Sequence, residues 1–155
     1  FSEIVKVYYP NDAVVFGATA DGLEVFHTSI TSVNEIAALR KSKYSQSKIG
    51  KAYRDAKDYL ENGQRVLFSG TPCQISGLKA FLNGKDYENL LTVEVVCEGV
   101  PSPLYVEKKA CYYEKKNSSR VINFDYMLLY IFEGFDLIFQ FLHFYYLSHF
   151  AKQII

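Results

Sequence analysis

The stretch that most constrains the fold runs over residues 66–74 and reads Val-Leu-Phe-Ser-Gly-Thr-Pro-Cys-Gln. Its first three residues form a short apolar run that suits a strand covered on both faces. Gly70 then allows a sharp turn and a close approach to a ligand. Thr71 is a favourable N-cap, Pro72 suits the first helical position, and Gln74 completes a capping box. The stretch therefore predicts a buried strand, a glycine turn and a capped helix.

Cys73 falls on the second position of that predicted helix. Unpaired N–H groups and the positive end of the helix dipole surround a side chain at this position. They favour the thiolate, the form that ligates metals and attacks electrophiles. Three roles stay open on this pattern: a metal ligand, a nucleophile, and a small buried hydrophobe, which is a common role of free cysteine.

A second cysteine follows the next predicted strand, which spans residues 91–96. Strand, helix and strand over about thirty residues predict a βαβ unit with two parallel strands. Because parallel strands end at one edge of a sheet, we expect Cys73 and Cys97 at the carboxyl edge, where ligands bind in open α/β sheets. Neighbouring strands lie about 5 Å apart, so the two sulfurs could share a metal cluster. The alternative is a pair of unrelated buried thiols.

The remaining elements predict an α/β domain with a mostly parallel or mixed sheet and flanking helices. Apolar periodicity, turn residues and capping residues locate these elements. In chain order they are a helix over residues 1–9, a strand over 13–18, a hairpin turn at Asp21-Gly22, a partner strand over 23–27, a short helix from Ser32 to Leu39 and an amphipathic helix over 49–60.

The loop over residues 40–47 is basic and rich in hydroxyl groups. Arg40, Lys41 and Lys43 stand among several serines and Tyr44, so the loop carries donors that could clamp phosphates. A solvated surface loop is the more common outcome for such a composition.

Composition limits the class of protein. The length of 155 residues predicts one domain, and a formal net charge of +0 makes nucleic acid an unsuitable partner. Three cysteines are too few for a disulfide scaffold and favour a reducing, cytoplasmic location; the third, Cys111, is predicted to be a bystander. The chain begins at Phe1 without a methionine, from which we expect a fragment.

Residues 126–155 differ in composition and are dominated by Phe, Tyr, Leu and Ile. The predicted domains are therefore residues 1–125 and a divergent, aromatic-rich helical tail over 126–155. The tail is long enough to span a membrane, but Glu133 and Asp136 would be costly inside one, so membrane association is not expected. Two further hypotheses are a helix that completes a core and the product of a shifted reading frame, and the biased composition favours the shifted frame.

Several stretches together resemble the coenzyme F420 hydrogenase/dehydrogenase beta subunit family. They are Val14–Ala18, Lys43–Ser47, Phe68–Ile75 and Cys97–Pro103, and the resemblance runs over about residues 1–108. It implies a flavin- and iron–sulfur-dependent oxidoreductase module. Such a module passes electrons between a deazaflavin-type or other carrier, FAD and a 4Fe–4S cluster, with coenzyme F420 as a candidate substrate.

The resemblance also assigns roles to individual residues. Cys73 and Cys97 match family cysteines that are candidate cluster ligands. A turn of glycine and threonine at a helix N-terminus can hold a pyrophosphate, which agrees with the positions that match the family around the flavin. Those positions are Gly17, Lys43, Tyr44, Gln46, Ser69, Gly70 and Thr71.

The sequence departs from the family pattern at two points. Glu98 stands where the family usually has histidine and adds negative charge beside a cluster or flavin. A 4Fe–4S cluster normally takes four cysteines, whereas only two here occupy family positions. We therefore expect a redox partner protein, or the family's upstream ferredoxin-like segment, to complete the site. The alternative is a truncated, non-catalytic remnant or interaction module that binds no cofactor.

Overall fold

A computed structural model describes residues 1–8, 13–43, 45–118 and 121. These residues form an α/β fold with one four-stranded mixed sheet, which confirms the predicted class. The strands are Val14–Asp21 (β1), Glu24–Ile30 (β2), Val66–Gly70 (β3) and Leu90–Glu94 (β4), and the helices are Ser2–Tyr8 (α1), Ala52–Glu61 (α2), Pro72–Phe81 (α3) and Pro103–Asn117 (α4), with a 3-10 helix over Val33–Leu39.

The strands lie in the order β2-β1-β3-β4. β1 and β2 form an antiparallel hairpin whose last pair is Asp21 and Glu24, and the turn between them uses Gly22 at φ +56°. β3 pairs in parallel with β1 on one side and with β4 on the other. The βαβ unit predicted from the sequence is thus confirmed, with β3 and β4 as direct neighbours.

Helices cover both faces of the sheet. On one face, Phe16 and Phe68 pack with Ile75 of α3 and with residues of α2. On the other face, Leu67 packs with residues of α1 and the 3-10 helix. β3 is buried along its whole length, as its apolar run predicts. Full burial of a leucine or phenylalanine side chain, such as that of Leu67 or Phe68, stabilises a fold by about 1.5–3 kcal/mol.

The structure differs from the sequence prediction around β4. The predicted strand over residues 91–96 ends at Glu94, and Val96 is 98% exposed. The strand ends there because its partner β3 ends at Gly70; a single bond from Val95 N–H to the Gly70 carbonyl continues the pairing. Helix α4 was not predicted, although Ser102 stands at its N-cap and proline at its first position.

Within the described ranges, no helix has both the length and the hydrophobicity needed to cross a membrane. The predictions for the tail over residues 126–155 lie outside those ranges.

Candidate functional site

The turn between β3 and α3 presents Cys73 at the surface. Thr71 is the N-cap of α3 and Pro72 its first residue, so Cys73 occupies the second helical position, as predicted. Gln74 Oε1 accepts a hydrogen bond from Thr71 N–H at 3.0 Å. The Cys73 thiol is exposed, and its Sγ lies 3.1 Å from the hydroxyl oxygen of Thr71.

Cys97 follows the neighbouring strand at the same sheet edge. Gly70 and Glu94 are the last paired residues of β3 and β4, and each cysteine lies three residues beyond its own strand's last pair. Cys97 is half-buried. Two thiols therefore leave adjacent parallel strands in equivalent positions, at the edge where open α/β sheets bind ligands.

The described residues do not form a complete metal site. Among them, no three His, Cys, Asp or Glu side chains are grouped so that they could hold a metal ion. The chain has three cysteines in all, and Cys111 lies exposed on α4. Because a 4Fe–4S cluster normally takes four cysteines, residues 1–155 cannot complete that set.

A buried polar network lies beneath the turn. His27 Nε2 is 3.0 Å from the carbonyl oxygen of Ser69, and His27 Nδ1 is 2.9 Å from Ser47 Oγ. Gln74 Nε2 donates to the same Ser47 Oγ at 2.8 Å. The network thus joins β2, the loop before α2, and both sides of the β3–α3 turn.

The hydrogen-bond directions in this network follow for the neutral form of His27, which burial of the ring favours. Gln74 Oε1 accepts from Thr71 N–H, so its Nε2 must be the donor to Ser47 Oγ. The Ser47 hydroxyl then donates to His27 Nδ1, and His27 Nε2–H donates to the Ser69 carbonyl. In this neutral form the proton of His27 is on Nε2, because the Ser69 carbonyl can only accept. Burial lowers the pKa of His27, and the hydrogen bond to Ser69 opposes that shift.

Gly70 is needed under this network. A Cβ atom added to Gly70 would lie 3.2 Å from both Cβ and Oε1 of Gln74 and 3.6 Å from His27 Nε2. Because glycine has no side chain, Gln74 and His27 can approach the end of β3 closely. The close approach to a ligand at Gly70 stays a prediction; the close approach in the structure is that of two side chains of the chain itself.

Tyr53 of α2 supports the start of α3 from the side. Its hydroxyl donates to the Gln74 carbonyl at 2.7 Å, and its ring lies 5.7 Å from that of Phe68. Burial, followed by the negative charge of the nearby Cys73, raises the pKa of Tyr53. Neither Tyr53 nor His27 was predicted from the sequence as a site residue; each lies on a predicted element, where an aromatic or a histidine is ordinarily a packing residue.

The loop before α2 is partly buried. Ser45 and Ser47 are 5% and 9% exposed, which excludes the solvated alternative at these two positions. Gln46, a predicted flavin position, is exposed, but its backbone N–H donates to the Pro101 carbonyl at 3.2 Å. Tyr44 lies outside the described ranges.

The other predicted flavin positions are spread over the fold. Lys43 Nζ donates to the carbonyls of Arg40 and Ala38, at 2.6 and 3.3 Å, at the C-terminal end of the 3-10 helix, and burial lowers the pKa of Lys43. Gly17 faces Leu39, which would lie 3.3 Å from an added Cβ. That is the face of the sheet opposite His27. Ser69 is 8% exposed, whereas Thr71 is half-buried.

Comparison with known proteins gives one match. A family model for the C terminus of the coenzyme F420 hydrogenase/dehydrogenase beta subunit matches residues 63–140, half of the chain. The match includes β3, α3, β4 and both cysteines of the candidate site, and it ends within the tail. Neither the search of curated proteins nor the search of solved structures found a match.

Proposed function

The chain belongs to the coenzyme F420 hydrogenase/dehydrogenase beta subunit family, and we propose that it is an electron-transfer module in which Cys73 and Cys97 ligate one iron–sulfur cluster. A cluster of this kind, when bound, supplies one-electron redox chemistry. The remaining ligands come from another segment or subunit, since a beta subunit works within a redox complex. We further propose that the module exchanges electrons with a bound FAD and with a deazaflavin-type or other carrier.

The observation that carries the proposal is the equivalent placement of the two thiols. They follow adjacent parallel strands with the same three-residue offset from the last strand pair. Both are free cysteines, and Cys73 is exposed. A thiolate ligand at the surface of one module, beside a second thiol, suits a cluster that is completed across an interface.

The β3–α3 turn has few free backbone N–H groups with which to bind the pyrophosphate of FAD. A helix N-terminus binds phosphate through its free backbone N–H groups. Here the Thr71 N–H is already bonded to Gln74 Oε1, and Pro72 has no N–H. The proposal of FAD binding therefore rests on family membership, and no pyrophosphate contact is assigned to this turn.

Anaerobic reconstitution with iron, sulfide, FAD and an excess of a small-molecule thiol tests the proposal, because the small thiol can occupy the ligand positions that another segment or subunit would fill. We expect visible absorbance from bound iron and sulfide that decreases strongly in Cys73→Ser and in Cys97→Ser, with Cys111→Ser as the matched control that keeps it. Flavin retained through gel filtration is measured separately. A folded chain that binds no iron, or iron binding equal in all three variants, would refute the cluster and support a cofactor-free interaction module.

A thiol nucleophile at Cys73 is the second candidate, favoured by its exposure and by the Thr71 hydroxyl at 3.1 Å. It predicts rapid alkylation at neutral pH without iron. Unchanged labelling of the chain after Cys73→Ala would exclude it.

A further inference from the structure

One short loop contacts the segments that carry both cysteines. We call residues 45–48 the serine loop. Its contacts reach the Cys73 segment through Ser47, the Cys97 segment through Gln46, and the edge of β2 through Lys48. The loop precedes both cysteines in sequence, yet it is bonded to each of their segments.

The contact with the Cys73 segment is made by side chains. Ser47 Oγ accepts from Gln74 Nε2 at 2.8 Å, and Gln74 directly follows Cys73 in the first turn of α3. The same Ser47 hydroxyl donates to the buried His27 Nδ1 at 2.9 Å. Ser47 therefore ties the start of α3 to the serine loop and to β2 at once.

The contact with the Cys97 segment is made by the backbone. Gln46 N–H donates to the Pro101 carbonyl at 3.2 Å. The loop that carries Cys97 leaves β4 at Glu94 and enters α4 at Pro103. The bond at Pro101 therefore holds the far end of this loop, whereas β4 holds its beginning.

The serine loop itself is held in place. Lys48 bridges to Phe26 on the outer edge of β2, with bonds of 2.9 Å from Lys48 N–H to the Val25 carbonyl and from His27 N–H to the Lys48 carbonyl. Ser45 and Ser47 are both buried. The loop is therefore partly buried and hydrogen-bonded to the edge of the sheet.

We propose that the serine loop positions Cys73 and Cys97 relative to each other, with Ser47 as the positioning residue for Cys73. This inference rests on the proposed function, in which the two thiols share one metal centre. Because β3 and β4 are neighbours, the strands bring both thiols to one edge. The turns beyond the strand ends then set the distance between the sulfurs, and the serine loop bonds to both turns.

Cadmium binding tests the inference without iron, flavin or a partner. Two thiolates that share one Cd²⁺ give an ultraviolet charge-transfer band, and the titration is run on the full chain with Cys111→Ser as background. We expect Ser47→Ala to weaken Cd²⁺ binding about fivefold, because of the two hydrogen bonds that it removes only the one from Gln74 Nε2 holds the Cys73 segment. Ser42→Ala, at an exposed serine outside the serine loop, is the matched control and should bind Cd²⁺ as the background does.

Two further measurements separate positioning from folding. Circular dichroism confirms that each variant is folded at the titration temperature, because loss of a buried hydrogen bond also lowers stability. Ser47→Thr keeps the hydroxyl and should restore part of the Cd²⁺ affinity lost in Ser47→Ala.

The results distinguish the positioning role from the shared site. If folded Ser47→Ala binds Cd²⁺ as tightly as the background, the positioning role is wrong while the shared site stands. If the background binds Cd²⁺ equally well after Cys73→Ser or Cys97→Ser, the shared site is wrong, and the positioning role is overturned with it.

Discussion

The imidazole ring of His27 is stacked on the ring of Phe68, with centroids 5.4 Å apart and planes inclined by 12°. The two residues belong to β2 and β3, which β1 separates in the sheet. The contact across β1 is possible because the residue paired with His27 is Ala18, whose side chain is small. His27 thus lies against an aromatic ring and is hydrogen-bonded at both of its ring nitrogens.

This environment predicts a loss of stability in mild acid. Burial lowers the pKa of His27 from its ordinary value of 6.5, so below 6.5 the unfolded chain binds a proton that the folded chain does not. The free energy of unfolding should therefore decrease as the pH falls from 6.5 towards the lowered pKa, and show no contribution from His27 above that window. Urea denaturation at a series of pH values measures this decrease in the free energy of unfolding.

The other two histidines must be removed from this measurement. His143 and His149 are replaced by glutamine in every sample, which leaves His27 as the single histidine of the chain. The further variant His27→Gln should be less stable near neutral pH and should lose the pH dependence. If the stability of the His27→Gln variant still depends on pH in the same way, then carboxylates rather than His27 cause that dependence.

A close contact between α2 and α3 predicts a substitution whose effect reverses sign. A Cβ added at Gly77 would lie 2.7 Å from the Tyr53 hydroxyl oxygen, but 3.4 Å from the ring carbons. Gly77→Ala should therefore destabilise the wild-type chain by about 1 kcal/mol through overpacking. In a Tyr53→Phe background it should stabilise by up to about 1 kcal/mol, because alanine is the better helix former.

Thermal and urea unfolding of the four chains in this double-mutant cycle give the coupling energy. Tyr53→Phe alone should cost about 1 kcal/mol, since it removes the bond to the Gln74 carbonyl. Equal effects of Gly77→Ala in both backgrounds would contradict the predicted contact.

The β3–turn–α3 unit could be predicted from the sequence because its signals are local and agree. The apolar run, the N-cap Thr71, the first-turn Pro72 and the N3 Gln74 all lie within nine residues. Strand pairing then followed from the βαβ rule. The position of Cys73 and Cys97 at one edge needed no further information.

The network beneath the turn could not be predicted in the same way. The bond between His27 and Ser69 spans 42 positions in sequence, that between Ser47 and His27 spans 20, and that between Gln74 and Ser47 spans 27. No periodicity or capping rule relates residues at these separations. The end of β4 was mispredicted for a similar reason: Val95 and Val96 have strand-forming side chains, but a strand requires a partner and β3 ends at Gly70.

Gly70 should tolerate a side chain less well than Gly17. An alanine Cβ at Gly70 would press on both Cβ and Oε1 of Gln74 at 3.2 Å, and Gln74 is held by Thr71 and Ser47. At Gly17 the same atom would meet the end of the Leu39 side chain at 3.3 Å, which can rotate away. We expect Gly70→Ala to lower the free energy of unfolding by about 2 kcal/mol and Gly17→Ala by about 1 kcal/mol or less. Urea denaturation compares them, and the reverse order would show that the network is more adaptable than the Leu39 contact.

Lys43 should stabilise the end of the 3-10 helix. Its ammonium group donates to the carbonyls of Arg40 and Ala38, where positive charge and donors satisfy the last carbonyls of a helix. Lys43→Met should therefore lower the free energy of unfolding by about 1 kcal/mol. The control Lys41→Met, at an exposed lysine in the same loop, should change it by less than about 0.5 kcal/mol. Flavin retention after reconstitution is measured on both variants. If Lys43→Met loses flavin without losing stability, then Lys43 acts on phosphate rather than on the helix end.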